Sequence, residues 1–226
     1  MHDLSPVIRK VASNLCGISV LIFVASFLPA QAQTVSQTSG ITAPVSPTDA
    51  PDEFIKQISN EILNQIKNDS AIKSGDIVKI STLVDSKVLP HVNLSRMTAQ
   101  TMGRFWRTAT PDQKQRMQEE FKALLIRTYS GAFAQVKDQT LYVKPMRNNP
   151  DDKEVLVRTE IRGKGEPIPL DYRLEKESGS WKVYDFNVMG VWMAEQYRTS
   201  FSQEINAIGV DGLISKLAEK NKVNRK

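Results

Sequence analysis

The sequence predicts an α+β fold in which helices cover a four-stranded antiparallel sheet. Apolar residues recur with the 3.6-residue period of helices up to Asp138, and alternate with polar residues from Thr140 to Gly190. The helical period returns after that. Helices, then one sheet, then helices are typical of an α+β domain, because a sheet with one apolar face has to be covered by other elements. The links between the strands are short, so consecutive antiparallel pairing is the most economical topology.

The N-terminal residues have the pattern of an export signal. Arg9 and Lys10 precede an apolar run at residues 18–28, and the small-x-small motif AQA follows it. The run is about 11 residues long, which is shorter than the ~20 residues that a membrane-spanning helix needs. We therefore expect residues 1–32 to be a signal peptide that is cleaved near Ala32.

The composition argues against several classes of site. Cys16 is the only cysteine and precedes the apolar run, so thiol chemistry and an acylated N-terminal cysteine are both excluded. With His2 in the signal, His91 is the only remaining histidine, which leaves no His/Cys metal site. The formal net charge is +5, but charges of both signs are mixed and no nucleic-acid-binding motif is present. We expect no metal, no cofactor and no nucleic-acid partner.

Three segments are expected after the signal. Residues 33–51 are rich in Ser, Thr, Gln and Pro and almost uncharged, which is typical of a flexible linker. An α+β domain follows at residues 52–221, and a basic tail at residues 222–226. Asp52 is placed to cap the first helix. The apolar stripe of that helix consists of Ile55, Ile58, Ile62 and Ile66.

Three more helices are predicted before the sheet. The second covers residues 77–88 and ends before Pro90, and the third covers residues 94–108. The motif TPDQ then begins a long helix, because Thr110 can cap it, a proline follows at the first helical position and a glutamine completes a capping box. An apolar stripe over residues 117–136 gives this helix about five turns.

The predicted strands lie at residues 140–146, 154–163, 168–176 and 180–190. On the second and third strands, the apolar side chains share one parity, and these are Val155, Val157, Thr159, Ile161, Ile168, Leu170, Tyr172 and Leu174. The fourth strand has apolar residues on both parities, which predicts a bulge or an edge strand covered on both sides. A closing helix is expected at residues 191–207, followed by a short helix that Asp211 caps.

The apolar face of this sheet has two interpretations. In the first, the long helix packs flat on the sheet and the two form a dry core. In the second, the helices and the sheet wrap a cavity. A strand of about eight residues extends ~26 Å, and one leaflet of hydrocarbon is about half of a ~30 Å bilayer core. The dimensions therefore permit a bound lipid without requiring one.

Several ordered motifs carry a resemblance to a known family. They are FWRTATPDQKQRMQEEFKALLIRTYSGAF at residues 105–133, PIPLDYRLEKESGSWKVYDFNVMGV at residues 167–191, QYRTSF at residues 196–201 and GVDGLISKL at residues 209–217. In this order they resemble the MlaC family, also called the toluene-tolerance family, over residues 52–221.

The resemblance implies a periplasmic phospholipid-binding carrier, with lipid tails held between a four-stranded sheet and a helical layer. Its implied partners are phospholipid, an outer-membrane lipoprotein complex and an inner-membrane ABC transporter with MCE-domain rings. We expect a monomer that is soluble in the periplasm after signal cleavage, and no enzymatic activity. A hopanoid-associated carrier of the same family and a protein-binding adaptor without lipid cargo are the alternatives.

On this interpretation the lipid-binding residues come from the sheet, the long helix and the closing helix. They are Leu125, Tyr129, Phe133, Val155, Val157, Ile161, Leu170, Tyr172, Leu174, Tyr197 and Phe201. Arg127 and Arg198 are candidate phosphate ligands, although salt bridges to acidic side chains are the simpler expectation. An enzyme would instead need Asp171 or Asp185 to face the pocket together with His91.

Overall fold

The computed structural model describes residues 50–149 and 151–222. The predicted signal peptide, residues 33–49 of the predicted linker and the last four residues of the predicted tail lie outside this part. No helix of the described residues is long and apolar enough to cross a membrane.

The folded part begins slightly earlier than the sequence predicted. Pro51, which we assigned to the linker, is the first residue of the first helix, and Ala50 is its N-cap. Proline is tolerated there because the first N–H of a helix has no partner within the helix. Asp52 lies inside the first turn, so the prediction that Asp52 caps the helix was wrong. At the other end, Lys222 belongs to the last helix and not to a separate tail.

Seven helices are present in the described residues. They are α1 (Pro51–Asn68), α2 (Ser70–Lys73), α3 (Ile77–Leu83), α4 (Leu94–Met102), α5 (Phe105–Thr108), α6 (Pro111–Ala134) and α7 (Met193–Lys222). The capping box at the start of α6 is confirmed, because Thr110 accepts from the Gln113 N–H and the Gln113 side chain accepts from the Thr110 N–H.

Two predicted helices are broken. The second becomes α3, a π-helical turn at Val84–Val88 and a 3₁₀ turn at Leu89–His91. The third divides into α4 and α5 at Gly103, whose backbone has φ 55 and ψ −127. A side chain other than hydrogen is strained in that conformation, so the chain turns at this glycine.

The end of the chain also differs from its prediction. Val191–Trp192 forms a short strand, and the helix that we placed from residue 191 begins at Met193. Gly209, with φ 75 and ψ 174, interrupts α7 where the sequence predicted a boundary between two helices. The Asp211 carboxylate accepts hydrogen bonds from Gln113 and Arg116 at the start of α6.

The described residues form a sheet of six strands, and the consecutive pairing of the predicted strands is confirmed. The strands are β1 (Thr140–Val143), β2 (Glu154–Val157), β3 (Thr159–Arg162), β4 (Ile168–Glu177), β5 (Ser180–Val188) and β6 (Val191–Trp192). Their order is β1-β3-β4-β5-β6, all antiparallel, and β2 also pairs with β4. The predicted second strand is therefore two strands, β2 and β3, which lie along the same partner.

At the break between β2 and β3, hydrogen bonds that involve side chains connect β3 to β4. The Thr159 N–H donates to the Asp171 carboxylate over 3.1 Å, and the Thr159 hydroxyl donates to the Leu170 carbonyl oxygen. These contacts replace the backbone ladder at one residue. Asp171 thus has a structural role that its outward parity did not reveal.

The predicted bulge on the fourth strand is confirmed. Arg173 lies opposite Asp185, while the next residue, Leu174, lies opposite Val183, so Tyr184 is the extra residue. A bulge reverses the parity of the residues beyond it. This explains why apolar residues of both parities on β5 face the same side of the sheet.

The helices divide into two groups in their packing. The long helix α6 packs its backbone against α7, α4 and α3, whereas α1 lies on β1 and β2. No strand of the described sheet has extensive backbone contact with α6. The backbone of α1 is therefore the one that lies closest to the sheet, whereas α6 meets the sheet through side chains such as Tyr129.

Candidate functional site

The strand register arranges the inner apolar face of the sheet in four rows. From one end to the other, these rows are Val155/Leu174/Val183, Val157/Tyr172/Phe186, Leu170/Val188 and Leu141/Ile161/Ile168. Neighbours within a row are close enough to form a continuous apolar surface. All six sheet residues predicted for lipid binding lie on this face. They are Val155, Val157, Ile161, Leu170, Tyr172 and Leu174.

One end of the inner face is dry. Leu174 is fully buried and Val183 nearly so, and both pack with Phe54, Ile55 and Ile58 of α1. Aliphatic and aromatic side chains fill the space between α1 and the sheet here. This end is an ordinary close-packed core, and it anchors the sheet to α1.

The opposite end of the inner face is only partly covered. Leu170, Val188 and all three members of the Leu141 row keep part of their surface exposed, although they share the face of the fully buried Leu174. The apolar face is therefore less completely covered at this end, although Thr159 of β3 is fully buried and Leu141 also packs against the cluster of α1. We call the rows Leu170/Val188 and Leu141/Ile161/Ile168 the open rows, because their side chains are only partly covered.

Helix α6 reaches the inner face through side chains. Tyr129 meets Phe186 edge to face with 6.1 Å between ring centroids, and its hydroxyl lies 2.8 Å from the Met193 sulfur. Burial raises the pKa of Tyr129 well above its usual value, and the nearby Tyr197 adds to the effect. Leu125 lies beside it in the same partly covered group.

Phe133 lies one turn further along α6, at the margin of a separate cluster. Its neighbours there include Ile62 of α1, and Ile62 also contacts the cluster of the sheet. Ile62 thus joins the C-terminal half of α6 to the sheet. Phe133 itself is half-buried.

Tyr172 is the polar group in the middle of the inner face. Burial raises the pKa of the Tyr172 hydroxyl to about 12, and Ser59 on α1 hydrogen-bonds to it. The phenol is therefore neutral at physiological pH and satisfied within the protein. It does not need a lipid head group as its partner.

Two predicted lipid-binding residues lie apart from the rows, in the helical cluster. Tyr197 and Phe201 both pack edge to face against Phe121, at 5.3 Å and 5.8 Å between ring centroids. Both are buried among α4, α6 and α7. The Tyr197 hydroxyl is buried and makes no hydrogen bond of normal geometry with a described residue. Burial raises the pKa of Tyr197, an effect that Thr128 partly offsets.

The charged candidates have structural partners. Arg127 donates to the Lys220 carbonyl oxygen and to Asn221 at the end of α7. Arg198 is exposed, and its guanidinium lies against Gly103, where a Cβ would be 3.2 Å from its Nε. The structure brings neither arginine to the open rows.

The residues considered for acid–base catalysis are held separately. Asp185 is fully buried and accepts from the N–H groups of Ala194 and Phe186 at 3.1 Å and 3.0 Å, and from Arg173 at 3.2 Å. Desolvation raises its pKa above the ordinary value despite these bonds. His91 instead packs against Phe54, and burial together with Lys182 lowers its pKa.

No group of three or more His, Cys, Asp or Glu side chains within residues 50–149 and 151–222 is arranged to hold a metal ion. Sequence reasoning placed Ile168 on the apolar face without selecting it for lipid binding, and it missed Leu141, Phe186 and Val188 as members of the inner face. The parity of β4 was enough to place Ile168. Phe186 and Val188 required the position of the bulge.

Two grooves of the described residues lie at the margins of the sheet, and only Val155 of the rows lines either of them. One, of about 380 Å³, lies between α1 and the start of β1. The other, of about 420 Å³, lies between residues 144–148 and the edge of β2. Both are lined mainly by polar side chains.

Comparison with known proteins decides the family. The family model described as MlaC protein matches residues 56–219 of this chain. This chain belongs to the MlaC family. The resemblance carried by its sequence motifs is thereby confirmed.

Two relatives and one solved structure are similar to this MlaC family member. It is 27% identical over 175 residues to the Haemophilus influenzae intermembrane phospholipid transport system binding protein MlaC, covering 75% of this chain and 81% of the relative. It is 29% identical over 165 residues to the Pseudomonas putida toluene tolerance protein ttg2D, covering 71% and 75%. A phospholipid-binding protein of Ralstonia solanacearum, solved in complex with a phospholipid, has a TM-score of 0.75 and 42% identity over 79% of this chain and all of that chain.

Proposed function

We propose that this protein is a phospholipid carrier that holds acyl chains against the inner face of its sheet. The observation that carries this proposal is the partly exposed apolar surface of the open rows. The same face of the sheet is closely packed against α1 at its other end. The phospholipid complex of the Ralstonia solanacearum relative supports it, because that protein is 42% identical and has the same fold.

A carrier has to cover the tails of its cargo almost completely. Two acyl chains contain roughly 30 methylene groups, and exposing them to water costs on the order of 24 kcal/mol at ~0.8 kcal/mol each. Ligand sites commonly have volumes of about 300–1,000 Å³, and a phospholipid belongs at the top of that range. The gap between α6 and the open rows therefore has to widen when lipid enters.

The packing of the helices is suited to this widening. Because α6 packs its backbone on α7, α4 and α3, it can move away from the sheet without breaking strand pairing. The contacts that must give way are side-chain contacts such as Tyr129 with Phe186. Dry contacts between α1 and the closed end of the face keep the sheet in place.

Organic extraction and mass spectrometry of the purified full-length protein test this proposal. We expect about one phospholipid per folded chain after signal processing. A protein-binding adaptor would instead yield folded chain without stoichiometric lipid, and that result would reject the carrier. Recovery of polycyclic hopanoid in place of glycerophospholipid would favour the hopanoid-associated alternative.

We further propose that the carrier acts in the periplasm and exchanges lipid with an outer-membrane lipoprotein complex and an inner-membrane ABC transporter bearing MCE domains. Similarity to the Haemophilus influenzae intermembrane phospholipid transport system binding protein MlaC supports this assignment. Carriage needs no chemical step, and Asp171, Asp185 and His91 have structural partners. Turnover of lipid esters that is abolished by Asp185→Asn would instead establish an enzyme.

A further inference from the structure

Two tyrosine hydroxyls lie close together where α6 and α7 meet the inner face. The Tyr129 hydroxyl of α6 lies 2.8 Å from the sulfur of Met193, the first residue of α7. Tyr197 follows Met193 by one helical turn, so the two side chains extend from the same side of α7. Burial raises the pKa of Tyr129 and the proximity of Tyr197 raises it further, which shows that the two phenols are neighbours. We call Tyr129 and Tyr197 the tyrosine pair.

Neither hydroxyl of the tyrosine pair donates to an oxygen atom of the described residues. Tyr197 is 7% exposed, and its hydroxyl is shielded from solvent without a hydrogen-bond partner in this part of the chain. Thr128 is near enough to affect the pKa of Tyr197 but is not in hydrogen-bonding geometry. The thioether that Tyr129 contacts is a weak acceptor. Because a buried donor without a strong acceptor is costly, the pair points to a ligand that carries an acceptor oxygen.

Side-chain contacts connect the tyrosine pair to the open rows. Tyr129 packs edge to face on Phe186 of the inner face, with 6.1 Å between the ring centroids. Val188, the next residue of β5 on that face, belongs to the open rows and packs against the cluster that contains Met193 and Tyr197. An acyl chain on the open rows therefore has its polar end within reach of these hydroxyls.

The surroundings of the pair limit which lipid oxygen can bind there. A phosphate carries a negative charge, and a charge in an apolar site needs a paired cation. Arg127, which precedes Thr128 on α6, instead donates to the Lys220 carbonyl oxygen and to Asn221 at the end of α7. An ester carbonyl is uncharged and accepts hydrogen bonds from neutral hydroxyls. Burial raises the pKa of both phenols, so both remain protonated donors at physiological pH.

We propose that the tyrosine pair donates hydrogen bonds to the ester carbonyl oxygens of the cargo and thereby selects ester-linked over ether-linked phospholipid. When lipid enters between α6 and the sheet, the Tyr129 hydroxyl exchanges the Met193 sulfur for a carbonyl oxygen, and Tyr197 gains an acceptor. An ether-linked chain has no carbonyl and leaves both donors without a strong acceptor. This inference rests on the proposed function as a phospholipid carrier.

Exchange with mixed vesicles tests the selection. The full mature protein is incubated with vesicles of equal parts diester and diether phosphatidylglycerol with chains of the same length, and its lipid is measured by mass spectrometry. We expect the diester lipid to be taken up about threefold to tenfold more than the diether lipid, the range that one hydrogen bond accounts for. The double variant Tyr129→Phe/Tyr197→Phe removes only the two hydroxyls and should take up both lipids equally.

Tyr142→Phe is the matched control. Tyr142 is 39% exposed and lies beneath the Arg162 guanidinium, opposite Glu160 on the other face of the sheet. Loss of its hydroxyl should leave the preference of the wild-type protein unchanged. Tyr129→Phe and Tyr197→Phe should each lose part of the preference, and they provide the same readout if the double variant does not fold.

Infrared spectroscopy gives a second readout that does not depend on exchange. In protein loaded with diester lipid that is labelled with ¹³C at the carbonyls, the C=O stretch should lie at lower wavenumber in the wild type than in the double variant. Equal uptake of the two lipids by the wild type, or a preference that the double variant keeps, overturns the ester inference and leaves the carrier intact. Wild-type protein that takes up neither lipid overturns the proposed function itself.

Discussion

Tyr129 of α6 and Phe186 of β5 meet edge to face, with 6.1 Å between their ring centroids. The pair joins the long helix to the inner face of a sheet that the backbone of this helix does not closely approach. Phe186 also stands directly opposite Tyr172 in the register of β4 and β5. The contact therefore lies at the point where the dry end of the face gives way to the open rows.

Phe186→Ala should destabilise the lipid-free protein more than the lipid-loaded protein. Loss of a half-buried ring costs about 2–3 kcal/mol of unfolding free energy, somewhat below the range for a fully buried phenylalanine. Acyl carbons of a bound lipid fill part of the space that the ring leaves. Urea unfolding of both forms measures the difference. Phe121→Ala, in the helical cluster, serves as the control and should cost about the same in the two forms. Equal costs for Phe186→Ala would contradict the proposed position of the lipid.

Val157→Glu should lose bound lipid, whereas Leu156→Glu should keep it. The two residues are adjacent on β2, but Val157 is fully buried on the inner face and Leu156 is 37% exposed on the outer face. An unpaired charge placed in an apolar site costs several kcal/mol, so lipid occupancy measured by mass spectrometry should fall more than about tenfold.

Leu170→Glu extends this comparison to a half-buried position on the open rows, where a charge is less damaging to folding than at Val157. Circular dichroism confirms that each variant is folded before lipid is counted. Lipid occupancy that falls equally for Leu156→Glu and Leu170→Glu would show that the two faces of the sheet are not distinguished as proposed.

Asp185 should make the protein less stable as the pH rises. Because desolvation raises the pKa of the folded carboxyl above its ordinary value of 3.8, the folded state binds the proton more tightly than the unfolded state. The stability contributed by this proton is complete below pH 3.8 and is lost as the pH rises through the folded pKa. Asp185→Asn keeps an acceptor for Ala194 and Phe186 and should remove this part of the pH dependence. An unchanged slope of unfolding free energy against pH would contradict the assignment.

Two glycine substitutions should have opposite effects on stability. Gly103→Ala places a Cβ on a backbone with φ 55 and within 3.2 Å of the Arg198 guanidinium, so it should lower the unfolding free energy. The strain of such a conformation is of order 1–3 kcal/mol. Gly131→Ala lies in α6 with no atom within 4 Å of the new Cβ, and should raise the unfolding free energy by about 0.5–1 kcal/mol. Thermal or urea unfolding of both variants decides the signs.

Local features of the fold could be read from the sequence because their causes lie within a few residues. The capping box of α6 needs only Thr110, Pro111 and Gln113, and its prediction is confirmed. The parity of β4 similarly placed Leu170, Tyr172 and Leu174 on one face. The double parity of β5 indicated a bulge, although only pairing with β4 showed that Tyr184 is the extra residue.

The candidate site was predictable in part for the same reason. The sheet residues of the site follow from alternation along each strand, and the structure brings all six of them to one face. Tyr197 and Phe201 were chosen from a helical stripe, which shows that a side chain is buried but not which neighbour buries it. Both pack against Phe121 in the helical cluster, so their role in lipid binding stays a prediction.

By itself, the sequence determined the succession of helices and strands, the apolar face of the sheet and the family, since these depend on residue type and spacing. Tertiary structure alone decided that α1 lies closer to the sheet than α6, that the second strand is interrupted at Thr159 and Asp171, and that the inner face is more completely covered at one end than at the other. Each of these depends on contacts between residues far apart in the chain. A local pattern states which surface must be buried, but not which element will bury it.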